Sequence, residues 1–157
     1  MSVLRVRDLM RSPPCSITPM TTLPDIERRL QAYGVRRLPV MDRRWVVGIV
    51  TLGDVRHAQP SDVPLLHTYE QPARLAGVHA LDLMSQPVIS IPATAPVTDA
   101  VRLMLKHKIS GVPVLRGGQL VGMITASDIF RAIVGDTVTS NRARVTHDTS
   151  PHTPNRR

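Results

Sequence analysis

The sequence predicts an α/β protein in which one β-α-β-β-α unit is written twice. Three observations lead to this. Sliding the 157-residue chain against itself by 74 positions lays residues 8–54 on residues 82–128 without a gap, and 14 of the 47 positions are identical. Chance would give about 3 at the usual frequencies of residue types. The hydrophobic period also changes in the same order in both copies, from a short apolar run to a helical stripe to alternating β-branched runs. Finally, proline and valine recur together at Pro39-Val40 and Pro113-Val114, and GIVTLGD (48–54) matches GMITASD (122–128).

Each element follows from local chemistry. The runs PPCSI and PVISI are short, apolar and bounded by proline, and read as brief strands. A helix follows: Thr21 or Thr22 can cap it, Pro24 and Asp25 suit its first turn, and Leu23, Ile26 and Leu30 recur at helical spacing. In the second copy Val97, Ala100, Val101, Met104 and Leu105 make a wider stripe. LPVM with WVVGIV, and VPVL with LVGMIT, are rich in β-branched residues and joined by short polar or Gly-Gly segments, as in a β-hairpin. Pro39 and Pro113 inside these runs are expected at a sheet edge or strand start. A last helix begins near Asp54 or Asp128, most clearly in DIFRAIV. A unit of about 50 residues buries too little to stand alone, so the copies are expected to share a core. The predicted organisation is a first repeat at 1–56, a linker at 57–79 punctuated by Pro60, Pro64 and Pro72, a second repeat at 80–135, and a disordered polar tail at 136–157.

Composition narrows the function. With 42% apolar residues the chain can bury a core, yet no apolar run reaches the roughly 18 residues of a membrane helix. Arg5, Arg7 and Asp8 stand where a signal peptide would be apolar, so a cytoplasmic protein without membrane contact is expected. Cys15 is the only cysteine, which excludes an internal disulfide and a thiolate metal cage. The net charge of +8 owes most to Arg28, Arg29, Arg36, Arg37, Arg43 and Arg44, a surface that attracts polyanions. Aromatic residues make up only 3%, too few for the stacking platforms of single-strand nucleic-acid binders. The six histidines are scattered, and neither phosphate-loop nor dinucleotide-binding glycine motifs occur, so no catalytic residue, metal site or catalytic cofactor is assigned and the chain is not expected to be an enzyme.

The G-x-x-T-x-x-D motif carries the chemistry. Thr and Asp three apart, where a strand turns into a helix, lie on one side of the first helical turn. An ionised carboxylate there can accept from both hydroxyls of a ribose, while the threonine and the free N–H groups of the helix start can face a phosphate. The competing reading of Thr51, Asp54, Thr125 and Asp128 is simple helix capping.

The repeated unit, with YGVRRLPV or HKISGVPV followed by the G-x-x-T-x-x-D strand end, resembles the cystathionine β-synthase-type (CBS) domain family over residues 5–134. The ending DIFRAIV also resembles small bacterial two-repeat proteins of the acetoin-utilisation type. The resemblance implies a tandem CBS pair, two β-α-β-β-α repeats with pseudo-twofold symmetry, with two clefts between them that bind AMP, ADP, ATP or S-adenosylmethionine as regulatory ligands. It implies ribose at Asp54 and Asp128 beside Thr51 and Thr125. For the adenine edge it implies Pro14, Cys15, Val35 and Arg36 in the Asp128 cleft, and Val88, Ile89, Ile109 and Ser110 in the Asp54 cleft. Many relatives carry a basic residue just before the ribose aspartate, where this chain has Gly53 and Ser127. Arg36 and Arg37 are therefore the candidate phosphate ligands, expected to flank the Asp128 cleft. For these two, and for Lys106, His107 and Lys108, complementarity to a helix C-terminus is the alternative. The expected protein is a regulatory sensor and homodimer acting on an unidentified partner protein. Its rivals are a nucleic-acid binder, suggested by the charge and by Arg142, Arg144, Arg156 and Arg157, and an empty dimerisation scaffold.

Overall fold

The computed structural model describes residues 3–59 and 75–135. Helix α1 (Val6–Leu9) is followed by α2 (Leu23–Tyr33), strands β1 (Arg37–Asp42) and β2 (Trp45–Thr51), and α3 (Leu52–Ala58). The second copy contains α4 (Ala80–Leu83), β3 (Ile91–Pro92), α5 (Val97–His107), β4 (Gly111–Arg116), β5 (Gln119–Thr125) and α6 (Ala126–Ile133). The expected helix, hairpin and helix are present in both copies. The leading strand is weaker than expected. PPCSI supplies a single parallel bridge, Ile17 to Val40, and PVISI supplies two residues, Ile91 and Pro92, parallel to Val114 and Leu115.

A short helix opens each copy where no element is expected from the sequence. Asp8 and Asp82 explain why DLM is repeated, since each accepts a hydrogen bond from the backbone N–H three residues earlier, Arg5 (2.8 Å) and His79 (2.8 Å). Helix α2 carries Pro24 in its first turn and ends at Gly34 with φ +60°. The matching end of α5 is Lys108, also left-handed at φ +54° although it is not glycine. The buried stripe runs through Leu23, Ile26 and Leu30 in α2 and Val97, Ala100 and Met104 in α5. Leu105 does not belong to it and is 74% exposed.

The hairpins pair in equal register, Arg37 with Thr51 and Gly111 with Thr125. Pro39 and Pro113 correct the edge-strand expectation, since β1 and β4 have neighbours on both sides. The Ile17 N–H donates to the Pro39 carbonyl and the Met41 N–H to the Ile17 carbonyl, so the parallel contact begins just beyond the proline nitrogen. A missing donor costs nothing there.

The copies do not share one core. They form two clusters and exchange their opening helices. Val6 and Leu9 of the first copy are buried with Ile91, Val97, Val112, Ile124 and Ile129 of the second. Ala80 of the second copy is buried with Ile17, Leu23, Leu38, Val50 and Val55 of the first. The backbone follows the same exchange: Val6 N–H to Ala95 O answers Ala80 N–H to Thr21 O, and the Arg11–Met123 bridge answers Ser85–Ile49. By packing, residues 5–11 therefore belong with the second repeat. Of the predicted linker, residues 60–74 lie outside the described residues, as does the tail at 136–157, while Leu75 and Val78 pack on the first cluster.

Glycine is required where the exchanged segments cross the hairpins. A Cβ on Gly48 would collide with the Met84 side chain, and one on Gly122 would lie 2.7 Å from the Arg11 carbonyl oxygen and 2.8 Å from Met10 Sδ. Backbone cannot give way as a side-chain end can. Gly122→Ala is therefore expected to destabilise the protein by about 1–3 kcal/mol in urea unfolding, the usual range for overpacking, whereas Gly53→Ala, whose Cβ would meet only Thr51 Oγ1 at 3.5 Å, should change it by less.

Candidate functional site

Both G-x-x-T-x-x-D motifs fold into the same capped junction. Thr51 and Thr125 are N-caps with extended backbone, and Asp54 and Asp128 sit at the third helical position. In the first copy Asp54 Oδ2 accepts from the Thr51 backbone N–H (2.7 Å) and from its hydroxyl (2.7 Å). In the second, Asp128 Oδ2 accepts from the Thr125 N–H (2.9 Å) and hydroxyl (2.6 Å). The capping role weighed from the sequence is thus present in both copies. It uses one carboxylate oxygen and leaves the other to decide what each aspartate can bind.

There the copies diverge. Among the described residues Asp54 Oδ1 has no hydrogen-bond partner, and Asp54 is half-buried. Asp128 is fully buried, and its Oδ1 accepts from Arg11 Nε at 3.0 Å and Arg131 Nη1 at 3.3 Å.

A cleft of about 370 Å³ runs beside the first motif, walled by Thr51, Leu52 and Gly53 from one copy and by Lys108, Ile109 and Ser110 from the other. Arg36, Arg37 and Arg56 complete it. Among the described residues the wall holds four cationic side chains and no carboxylate, Asp54 included, which favours an anion. The placement of Arg36 and Arg37 differs from the expected one: they stand with Thr51 rather than at Asp128. The cause is the register of the hairpin, which sets Arg37 opposite Thr51 and lets the Arg36 carbonyl accept from the Leu52 N–H (2.8 Å). Arg37 reaches across the pseudo-twofold axis to Ser110 Oγ (2.6 Å) and the Gly111 carbonyl (3.1 Å), and burial followed by the charge of Arg36 lowers its pKa below the usual arginine value. Much of its donor capacity is already used. Arg36 is exposed and has no hydrogen-bonded side-chain partner among the described residues.

The remaining expected contacts fall elsewhere. Ile109 and Ser110, expected with Asp54, line the cleft, whereas Asp54 itself does not. Val88 and Ile89, expected in this cleft, and Pro14, Cys15 and Val35, expected in the Asp128 cleft, are partly buried and do not line it; Cys15 and Val35 pack on the first cluster and Ile89 on the second. Burial pushes the Cys15 thiol up, only partly opposed by the nearby charge of Arg29. The sequence reading missed Arg11, Arg131 and Arg56, and gave Lys108 only a helix-end role. Comparing the copies position by position would have exposed Arg11, whose counterpart is Ser85.

A second concavity, about 480 Å³, lies on the outer face of α5 and α6 and is apolar, lined by Met104, Leu105, Ile109, Ile129 and Phe130 among others. Among the described residues no group of three or more His, Cys, Asp or Glu gathers as a metal site would require, and no helix is long and apolar enough to cross a membrane.

The family model for the CBS domain matches residues 6–61 and 80–135. A CBS domain-containing protein of Dictyostelium discoideum is 32% identical over 131 residues, 82% of this chain and 90% of that one. Inosine-5′-monophosphate dehydrogenases of Korarchaeum cryptofilum and Staphylococcus aureus are each 27% identical, but the chain spans only 21% and 23% of their length. Among solved structures, a protein of Vibrio cholerae described under acetoin utilization superimposes with a TM-score of 0.70 at 27% identity, covering 85% of this chain and 93% of that one. A CBS domain pair in complex with 5′-methylthioadenosine and S-adenosyl-L-methionine gives 0.70 at 25%, covering 87% and 100%. A third structure, in complex with AMP, gives 0.68 at 26%, covering 84% and 97%.

The two aspartates should differ in structural weight. Asp128→Ala removes charge-assisted bonds to two arginines as well as the cap and is expected to cost about 3 kcal/mol. Asp54→Ala loses the cap alone, about 1 kcal/mol. Urea unfolding of the two variants reads the difference directly.

Proposed function

The chain belongs to the CBS domain family, and on that premise we propose that it is a non-catalytic sensing pair that takes a phosphorylated adenosine ligand in the cleft beside Asp54. The observation that carries the proposal is the cationic wall of the cleft beside Thr51, the residue whose hydroxyl and N–H hold Asp54. Asp54 lies next to the cleft in the chain but not in its wall, and its Oδ1, without a partner among the described residues, can accept from ribose hydroxyls; Arg36, Arg56 and Lys108 in the wall offer charge to a phosphate. The structures solved with AMP, 5′-methylthioadenosine and S-adenosyl-L-methionine support the adenosine part. The cationic wall supports AMP, ADP or ATP over the sulfonium-bearing S-adenosylmethionine. Thr51, Ile109 and Ser110 would line the bound ligand. Pro14, Cys15, Val35, Val88 and Ile89 are given no role in this cleft.

The regulatory output rests on the geometry of the axis. Arg37 ties the two repeats at Ser110 and Gly111, so a ligand seated between Thr51 and Ser110 bears on the contact that sets their relative position. A homodimer is part of the proposal. Leu105, Phe130, Ile133 and Val134 are 64–75% exposed on the α5 and α6 side, an apolar surface that a second copy would cover.

Titration calorimetry with AMP, ADP, ATP and S-adenosylmethionine tests the ligand. At least one adenine nucleotide should bind more tightly than S-adenosylmethionine, with Asp54→Asn and Arg36→Ala each weakening it by about tenfold, equivalent to about 1.4 kcal/mol. Equal binding by Asp54→Asn would refute the assignment, and salt-sensitive binding of DNA that ignores this substitution would favour the nucleic-acid rival. For assembly, Phe130→Asp should convert a dimer into a monomer in light scattering; a wild-type monomer would remove that part.

A further inference from the structure

The two copies of the motif differ most at the one atom that matters for ribose. The 74-residue offset pairs Asp54 with Asp128, Ser85 with Arg11 and His57 with Arg131. In the second copy both arginines converge on Asp128 Oδ1, at 3.0 and 3.3 Å, and the carboxylate is completely shielded from solvent. Its other oxygen is held by Thr125. Every strong acceptor position of this aspartate is therefore used within the chain.

Arg11 does not reach Asp128 by chance of a long side chain. Its backbone is clamped to β5, the Arg11 N–H donating to the Met123 carbonyl (2.8 Å) and the Met123 N–H donating to the Arg11 carbonyl (3.0 Å). Met123 lies two residues before Thr125, so the exchange of the opening segments delivers the guanidinium to the motif of the other repeat. In the first copy the matching clamp, Ser85 with Ile49, delivers a hydroxymethyl group too short to do the same. A ribose arriving at Asp128 would have to replace two charge-assisted bonds with bonds from neutral hydroxyls, which are weaker.

We propose that Arg11 and Arg131 occupy, from within the chain, the place on Asp128 that a ribose would take, so that the second cleft is closed and the pair binds one adenosine ligand per chain. This rests on the reading of Asp54 as a ribose acceptor. It makes the module a single-site sensor by substitution at two positions rather than by loss of the motif, and explains how an intact T-x-x-D can be silent.

Calorimetric stoichiometry with AMP tests this on the full chain, with melting curves showing that each variant is folded. The forms are wild type, Arg11→Ser, and Arg11→Ser with Arg131→His, which copies the first repeat, each with and without Asp54→Asn. Wild type should bind one AMP per chain and lose it with Asp54→Asn. The double variant should bind two and keep one when Asp54→Asn is added. Arg11→Ser alone, which leaves Arg131 on Asp128 and so is the safer fold, should show a weaker second site. A wild type that binds two, or folded variants that gain none, would overturn the proposal while leaving the Asp54 reading intact. Loss of all binding in Arg11→Ser, with Asp54→Asn harmless, would show Arg11 to be a ligand contact and overturn both. Binding only after both arginines are replaced would sustain the closure and overturn the Asp54 reading; no AMP bound by any form overturns both.

Discussion

Met84 lying on Gly48, and Met10 lying on Gly122, set the geometry on which the molecule depends. Each methionine ends a four-residue helix that belongs in sequence to one repeat and in packing to the other. An isolated repeat would lose part of its buried cluster and the clamp along its second hairpin strand. Folding of either half is thereby coupled to the other, which suits units of about 50 residues that bury too little alone. The same crossing carries residues 11 and 85 toward the opposite motifs, so a structural device also sets which side chains surround each aspartate.

That coupling explains why pseudo-symmetry of the backbone coexists with asymmetry at the two Thr–Asp motifs. Strand register, caps, buried stripes and crossings repeat at a fixed offset, because each is dictated by positions kept in both copies: Asp8 and Asp82, Pro39 and Pro113, Gly48 and Gly122, Thr51 and Thr125. The side chains that face the clefts are not so kept. Arg37 opposes Gly111 across the axis, and the space made by the missing side chain is filled by the guanidinium itself. Arg11 opposes Ser85, and the result is one committed aspartate and one available.

The sequence disclosed what depends on periodicity and local chemistry. The duplication, the helical stripes, the hairpins and the capped Thr–Asp junctions were all readable from spacing. What it could not disclose depends on crossing the axis. Residues 5–11 open the first repeat in sequence, and only the structure shows Val6 and Leu9 packed in the second cluster. The same crossing puts Arg11, invisible as a site residue, on Asp128. Arg36 and Arg37, expected beside Asp128, stand with Thr51, because hairpin register fixes them within their own repeat. Pro39 misled for a related reason: a rule about donors on a strand edge cannot anticipate that the neighbouring contact begins one step later.

The central claim is that the chain offers one open ribose acceptor, at Asp54, and one closed from within, at Asp128. A crystal structure of the wild-type chain grown with saturating AMP tests it most directly. A nucleotide between Thr51 and Ser110 with its ribose on Asp54, and Arg11 still on Asp128, is the expected result. A nucleotide on Asp128 with Arg11 displaced, and the Asp54 cleft empty, would contradict it.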